Sequence, residues 1–405
     1  MPMVIFYVQA YNAEKTIGRT LESLLLQTCP DWVCYCIDNG CTDKTAKIIE
    51  RYAQIDGRIK MRRVKQNDPS YFFVCLPTIL EQHPEEDFFT TLDADDEYTP
   101  DFVEKMLSFI QRNRLEIAAC GNYFLDARSG NMTGERILKG DLIFSGALLS
   151  EYFPLYHQFM RTVWGKLYAI SVLKKVNWGN MRLYMYGVDT LVCTECFRHA
   201  SRIGVLAKSL HKYYVSPKSV SYQFDKKRIQ SDRILHEAAC AFLVEKCGYI
   251  SPRNENFLLA VYMNASKDTL NVLLDARIPV QGKIEGVIDI VTHEYTGQLM
   301  AKDHFGLGAG SVTELSAQRK ELFSTVLNWL LSLDEVPSEL VEGYCGAGEL
   351  LSATTENAEG WLFFKKLRVR FFLEQNRKDE ARDSLFELAE LIPNDTEVMD
   401  FQQSF

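Results

Sequence analysis

The sequence predicts an α/β fold followed by an all-α half, on three observations. Over roughly the first 125 residues, short β-rich apolar runs alternate with stretches whose apolar residues recur at helical spacing. Those runs stop at polar or Asn-Gly turns. Beyond about residue 230 strand-like runs nearly vanish and amphipathic helices take over. Alternating units of this length imply a parallel, doubly wound sheet with helices on both faces.

Met3 to Gln9 opens the chain as a strand, and Ile17, Leu21, Leu24 and Leu25 mark the first helix. Trp32 to Ile37 is a second strand, stopped by D-N-G-C-T-D, where Asn39-Gly40 signals a turn and Thr42 or Asp43 can cap the next helix. That helix turns Ala46, Ile49 and Tyr52 inward. A third strand spans Ile59–Val64, a helix Tyr71–Glu81, and a fourth strand Phe88–Leu92. Phe102, Met106, Leu107 and Ile110 give another helix, and Ile117–Phe124 another strand. From about Asp126 the pattern loosens. R-I-G-V-L-A-K-S-L-H-K-Y-Y-V reads as two short strands, followed by the basic run Lys226–Arg228. The boundary is expected there, giving domains 1-228 and 229-405. In the second, Ile234–Lys246, Asn256–Leu274, Glu314–Leu333 and Leu362–Leu373 read as helices. Ala381, Leu385, Leu388 and Pro393, with Phe372, fall at the offsets of one tetratricopeptide-like hairpin near 361-393. A generic helical bundle fits as well.

The 405 residues suffice for two domains and a sizeable core, and a net charge of −9 speaks against non-specific binding to nucleic acid. The start of the chain goes directly into a strand-like run without the marks of a signal peptide, and no apolar run approaches a membrane span. A cytoplasmic protein is expected, with any membrane contact peripheral. Its 11 cysteines are scattered among apolar runs, as suits buried thiols in a reducing compartment. Cys193 and Cys196 form one C-x-x-C within a helical stretch and read as core.

The chemistry concentrates in D-F-F-T-T-L-D-A-D-D-E-Y-T-P, Asp87 to Pro100. In extended backbone Asp93 and Asp95 face the same side, and Asp96 faces away unless the chain turns. Carboxylates crowded at a strand end cost Coulomb energy unless a cation relieves it, and hard oxygen donors favour Mn2+ or Mg2+. Taken alone, the same cluster fits a solvated turn capping the helix near Thr99. In open α/β sheets ligands bind outside the carboxyl ends of the strands, which puts Gln9–Asn12, Asp38–Asp43 and Asp93–Asp96 on one rim. Neither G-x-G-x-x-G after the first strand nor G-x-x-x-x-G-K-[ST] occurs, so a dinucleotide fold and a P-loop are poorly supported.

Four segments in order, over about residues 3 to 228, resemble family 2 glycosyltransferases of the GT-A fold: V-I-F-Y-V-Q-A-Y-N-A-E, I-D-N-G-C-T-D, T-L-D-A-D-D-E-Y-T-P, and V-W-G-K-L-Y followed by G-V-D-T-L. Gln9-Ala10 stands where the family often has Pro, Asn39 replaces a second Asp, and Val188 replaces the Glu of G-E-D. The resemblance implies that Gln9, Tyr11, Asp38 and Asn39 line the site for the base and ribose of a nucleotide sugar. It implies that Asp93 contacts ribose or metal, that Asp95 binds a divalent ion bridging the diphosphate, and that Asp189 is the general base. Lys166 is placed beside the diphosphate, and Trp164 and Tyr168 beside the acceptor. His211, the nearest histidine for a third metal ligand, sits one strand early. Each has a bland reading: Asp189 as a helix cap, Asp38 as the cap of the Asn39-Gly40 turn, Trp164 and Tyr168 as core, Lys166 as surface.

The function so implied is a metal-dependent, inverting transfer of a hexosyl or N-acetylhexosaminyl group. It runs from a nucleotide sugar, a UDP-sugar by expectation, to a hydroxyl of a glycan or glycoprotein. A nucleotidyltransferase of the same fold would need a Gly-rich basic loop after the first strand, which is missing. The alternative is a catalytically silent sugar-nucleotide-binding scaffold acting through its helical half, which could also form a homodimer.

Overall fold

The computed structural model describes residues 2–146, 148–179, 186–216, 224–301 and 308–405, the side chains of 299–301 and 308–319 excepted. The chain divides into two compact units, Met1–Tyr222 with Glu237–Asn254, and Gln223–His236 with Glu255–Phe405.

The first unit is built on one sheet of ten strands. β1 (Val4–Ala10), β2 (Trp32–Asn39), β3 (Ile59–Val64) and β4 (Phe88–Thr91) are the parallel strands read from the sequence. β2 is buried over its full length and β1 over nearly all of it, which is why both read as continuous apolar runs rather than alternating ones. Between them run α1 (Ile17–Leu25), α2 (Thr45–Ile55) and α3 (Tyr71–Glu81). α1 turns Ile17, Leu21 and Leu24 inward, as its spacing dictates. β5 (Glu97–Tyr98) and α4 (Phe102–Arg112) follow the acidic turn.

The remaining strands depart from the all-parallel expectation. The sheet order is β3-β2-β1-β4-β9-β6-β10-β5, where β6 is Ile117–Asp126, β9 Lys166–Ala169 and β10 Arg202–Val215. β9 lies antiparallel between β4 and β6, and β5 antiparallel to β10. β7 (Met132–Arg136) and β8 (Leu142–Ser145) pair antiparallel with β6 and β10. Only residues 127–131 separate β6 from β7, a hairpin link too short for a parallel crossover. The region read as two short strands is one strand of 14 residues, β10, irregular at Leu206/Ser209 and Ser209/His211. Those irregularities break the alternation that a single strand would show. α5 (Leu148–Met160), α6 (Ile170–Leu173) and α7 (Val188–His199) lie between β8 and β10 in the chain, with β9 between α5 and α6.

The second unit is helical. α9 (Pro252–Asp275), α10 (Val280–Val291), α12 (Gly308–Leu331) and α13 (Val341–Thr354) share a core of Leu259, Met263, Leu273, Ile284, Val287, Leu327, Tyr344 and Leu351. α8 (Lys227–Cys247) contributes residues to each unit, and α11 (Glu294–Ala301) precedes α12. α14 (Ala358–Glu374) and α15 (Lys378–Leu391) form the hairpin read from the sequence, with Phe372, Ala381, Leu385 and Leu388 buried and α16 (Thr396–Gln402) behind it. Among the described residues, no helix is long and apolar enough to cross a membrane. All eleven cysteines are free, and Cys193 and Cys196 are core.

Candidate active site

The parallel register sets Ala10 beside Asp38 and Tyr7 beside Thr91, so the loops after β1, β2 and β4 leave the sheet on one rim. The second of these turns needs its glycine. Gly40 has φ 73°, and a Cβ there would stand 2.6 Å from the backbone of Gln66 and Asn67. Asp38 accepts the Cys41 N–H at 3.0 Å and meets Arg63, its cross-strand neighbour on β3, at 3.3 Å. It both caps the turn, as the bland reading had it, and keeps an ion pair at the rim. Tyr11 is exposed at that rim. Gln9 accepts the Tyr7 hydroxyl at 2.6 Å.

Asn39 is differently placed. Its amide donates to the Asn67 side chain at 2.9 Å and the Asp68 carbonyl at 3.1 Å, and its oxygen accepts the Asp68 N–H at 3.2 Å. It is 1 % exposed. It therefore clasps the 67–68 loop to β2 and, in this arrangement, has no amide hydrogen left for a base.

The acidic turn keeps the alternation expected of it. Asp93 and Asp95 are exposed while Ala94 and Asp96 are buried, although the chain turns at Ala94–Asp95, with the Asp96 N–H on the Asp93 carbonyl at 3.1 Å. Asp96 accepts the Tyr214 N–H at 2.9 Å through one oxygen; its other oxygen, unbonded, faces His211 Nε2 at 3.3 Å. Glu97 is held by Arg19 at 3.0 Å, Lys212 at 3.2 Å and the Tyr214 hydroxyl at 2.6 Å. Arg19 also donates to the Asp95 carbonyl and stacks 3.6 Å over the Tyr214 ring. This brace of Arg19, Glu97 and Tyr214 was not legible in the sequence, because nothing in helix α1 distinguishes Arg19 from any solvated arginine.

Asp189 comes from the other half of the domain. It sits in the first turn of α7, where the helix dipole favours a carboxylate. The cap position belongs to Gly187, at φ 67°, so Asp189 is not the N-cap. Burial raises its pKa, while Lys166 and the Val163 N–H that it accepts pull it down. Asp93 reaches solvent, yet loss of water to the protein packed around it lifts its pKa well above the carboxylate range, reinforced by the charges of Asp96, Asp189 and Asp95. Asp95 is raised by burial against the opposing pull of Arg19 and His211. The charge of Asp189 thus reaches Asp93, which puts the start of α7 within electrostatic range of the acidic turn.

An acidic turn of this kind suits a divalent cation. Among the described residues no three His, Cys, Asp or Glu side chains gather closely enough to form a cage by themselves. Two or three donors with room for phosphate oxygens are the arrangement that remains. His211 fits as a donor: it is fully buried, both ring nitrogens lack hydrogen bonds, and burial first, then Arg136 and Lys166, pull its pKa down to about 3. The imidazole is therefore neutral, with a lone pair to offer. The sequence set it one strand early; in the continuous strand β10 it lies beside Tyr98 of β5, directly after the acidic turn.

The two acceptor-side candidates, Trp164 and Tyr168, and the diphosphate candidate Lys166 are not on the surface. Trp164 is 6 % exposed, stacked 4.4 Å from His211 and 5.2 Å from Tyr213. Tyr168 is 2 % exposed, its hydroxyl on the Val163 carbonyl at 3.2 Å. Lys166 is 1 % exposed, its ammonium on the carbonyls of Thr162 and of Trp164, the latter at 3.2 Å. All three are buried: Lys166 and Tyr168 because β9 is an interior strand flanked by β4 and β6, and Trp164 because it stacks on His211 and Tyr213 of β10. Tyr168 and Lys166 have their polar atoms engaged by the protein itself.

Residues 6–162 match the model of the family described as glycosyl transferase family 2. EpsJ of Bacillus subtilis, an uncharacterized glycosyltransferase, is 23% identical over 55% of this chain and 63% of its own length. An uncharacterized glycosyltransferase of Haemophilus influenzae is 24% identical over 64% of this chain and 80% of its own. TuaG of Bacillus subtilis, a putative teichuronic acid biosynthesis glycosyltransferase, is 31% identical over 32% of this chain and half of its own. The crystal structure of residues 1–349 of TarS from S. aureus, in complex with UDP-GlcNAc, aligns over 90% of this chain and 91% of that one, with a TM-score of 0.44 and 16% identity. The segment that matches glycosyl transferase family 2, residues 6–162, is the one that carries the parallel strands β1 to β4, the three rim loops and the acidic turn.

Proposed function

We propose that the chain is a metal-dependent, inverting glycosyltransferase. It would move a hexosyl or N-acetylhexosaminyl group from a UDP-sugar to a hydroxyl of a glycan or glycoprotein. The observation that supports the reading is the acidic turn Asp93–Asp96 after β4, on the rim shared with the loops after β1 and β2, with the charge of Asp189 at the start of α7 reaching Asp93. Asp95 with Asp93 would hold Mn2+ or Mg2+, the donor's phosphate oxygens completing the shell, and the ion's charge would stabilise the departing nucleoside diphosphate. Asp38, with Gln9 and Tyr11 at the same rim, would receive the base and ribose. Asp189 would accept the proton of the acceptor hydroxyl as its oxygen attacks the anomeric carbon from the face opposite the leaving group. Burial raises its pKa, against the pull of Lys166, and a carboxylate so raised is a stronger proton acceptor when ionised. UDP-GlcNAc and GDP-Man in the TarS and Pyrobaculum calidifontis mannosyltransferase complexes, the latter with Mn2+, agree with a nucleotide-sugar donor and a divalent ion.

The test is a thermal-shift panel of UDP, GDP, CDP and TDP sugars, each with and without Mn2+. A ligand that binds only the folded state raises the melting temperature according to its concentration relative to Kd. The expected result is a Mn2+-dependent shift with UDP-sugars that Asp95→Ala removes. No shift with any nucleotide sugar would overturn the reading.

A further inference from the structure

Segment 161–164 links α5 to Gly165 and β9, and its backbone is unusually well tied down for a connection. The Arg161 carbonyl accepts the Thr190 hydroxyl at 3.3 Å. The Thr162 carbonyl accepts Lys166 Nζ and, at 3.1 Å, Cys193 Sγ. The Val163 carbonyl accepts the Tyr168 hydroxyl at 3.2 Å, and the Trp164 carbonyl accepts Lys166 Nζ at 3.2 Å. Thr190 and Cys193 lie one and four residues beyond Asp189 on the same helix, so the segment and the start of α7 form one closed set of hydrogen bonds.

Lys166 is the costly member of that set. A fully buried ammonium loses its hydration, and neutral carbonyls restore only part of it. Burial pulls its pKa down to about 8, and among the described residues its ammonium has no carboxylate in ion-pair range. Carbonyls alone could be met by a neutral donor. What the ammonium adds is a positive charge whose field reaches Asp189.

We propose that Lys166 is a positioning residue for Asp189: it fixes the Thr162 and Trp164 carbonyls of the segment on which Thr190 and Cys193 dock, and so sets where the first turn of α7 carries the Asp189 carboxylate. This rests on the assignment of Asp189 as general base. It replaces the placement of Lys166 beside the diphosphate. Tyr168 and Thr190 serve the same segment through single hydrogen bonds. The charged and titratable groups around the pair are Asp93 beyond β4, Arg136 of β7, Cys120 of β6 and Cys193 of α7.

The test compares wild type, Asp189→Asn, Lys166→Met and Tyr168→Phe. It measures Mn2+-dependent hydrolysis of UDP-hexoses and UDP-N-acetylhexosamines, alongside donor binding by thermal shift. Misplacing a catalytic group by about 1 Å can cost on the order of 10² in rate. Lys166→Met is therefore expected to lower kcat by roughly that factor with donor KM unchanged, and to raise the acid limb of the kcat/KM profile. Tyr168→Phe keeps the charge. It should lower kcat by a smaller factor, leave that limb in place, and answer the question if Lys166→Met fails to fold. Wild type inactive on every donor, or Asp189→Asn still active, overturns the base assignment. Asp189→Asn inactive, with Tyr168→Phe and any folded Lys166→Met at wild-type kcat, overturns the positioning role alone.

Discussion

Two regions of this chain are rich in acidic side chains and treat them in opposite ways. In the helical unit, carboxylates are matched by cations. Lys366 meets Asp395 at 2.7 Å and Glu397 at 3.5 Å, Arg368 meets Glu349 at 2.8 Å, and Lys365 lies between Glu349 and Glu387. The hydrogen bond from Lys366 pulls Asp395 below the carboxylate range, and partial burial of Lys366 is outweighed by its acidic partners. In the turn after β4 the reverse holds. Asp93, Asp95 and Asp96 are all raised, burial first, and of the four acids there only Glu97 has a full set of cationic and hydroxyl partners. Charges arranged for stability are paired with neighbours; charges arranged for a ligand are left to repel until it arrives.

The comparison is broken or kept most decisively at Asp93. Its raised pKa means that the folded state resists the ionised form which the unfolded chain adopts freely at neutral pH. The group therefore destabilises the metal-free protein at pH 7, and that penalty fades as the pH falls into the carboxylate range. Asp93→Asn is expected to cost on the order of 10²-fold or more in turnover. The same change should raise the melting temperature of the metal-free protein and leave its donor-free stability insensitive to Mn2+. A lower melting temperature would make the turn an ordinary structural cap.

Much of this contrast was legible before any coordinates, and the limits have physical causes. β1 to β4 and their helices were readable because a parallel strand buried on both faces is a plain apolar run. Asp93 and Asp95 were readable because alternation fixes their side. β10 was not, since its two irregularities reset the alternation and split one strand in the reading, and His211 moved away from the turn with it. The protein contacts of Asn39, Lys166 and Tyr168 were not legible for a different reason. Polar side chains in motif positions look alike in sequence whether they reach a ligand or a neighbouring carbonyl, and only the tertiary neighbours decide. The Arg19 brace depends on a contact between residues 76 positions apart and leaves no local trace.

A second test sharpens the comparison by removing a competing acid response. His157, on α5, is buried, and burial with Arg161 nearby pulls its pKa down to about 4. An unfolded histidine titrates near its ordinary 6.5, so the stability tied to neutral His157 is fully present above that pH. It is lost as the pH falls from there through about 4, by about 1.4 kcal/mol per pH unit over that window. This slope opposes the relief of the acidic turn. Chemical denaturation between pH 7 and 4 should show a shallower acid loss in His157→Gln than in wild type. Adding Asp93→Asn to that background should remove the remaining gain from protonating the turn. A wild-type slope in His157→Gln would place the acid response elsewhere.

The smallest expected effect is at the paired end. Lys366→Met removes a cation shared by Asp395 and Glu397, yet both lie near the surface and Arg370 still reaches Glu397. A surface pair in water gains little over its solvated parts, so the loss should stay under about 1 kcal/mol. Denaturant midpoints at low and high salt would measure it: the small difference should shrink further in salt, because screening weakens what the pair contributes. Turnover should not change. A loss as large as that of a buried pair, about 3 kcal/mol or more and indifferent to salt, would mean that the hairpin's charges are buried partners rather than a solvated lattice. The contrast between the two acidic regions would then be one of burial as well as pairing.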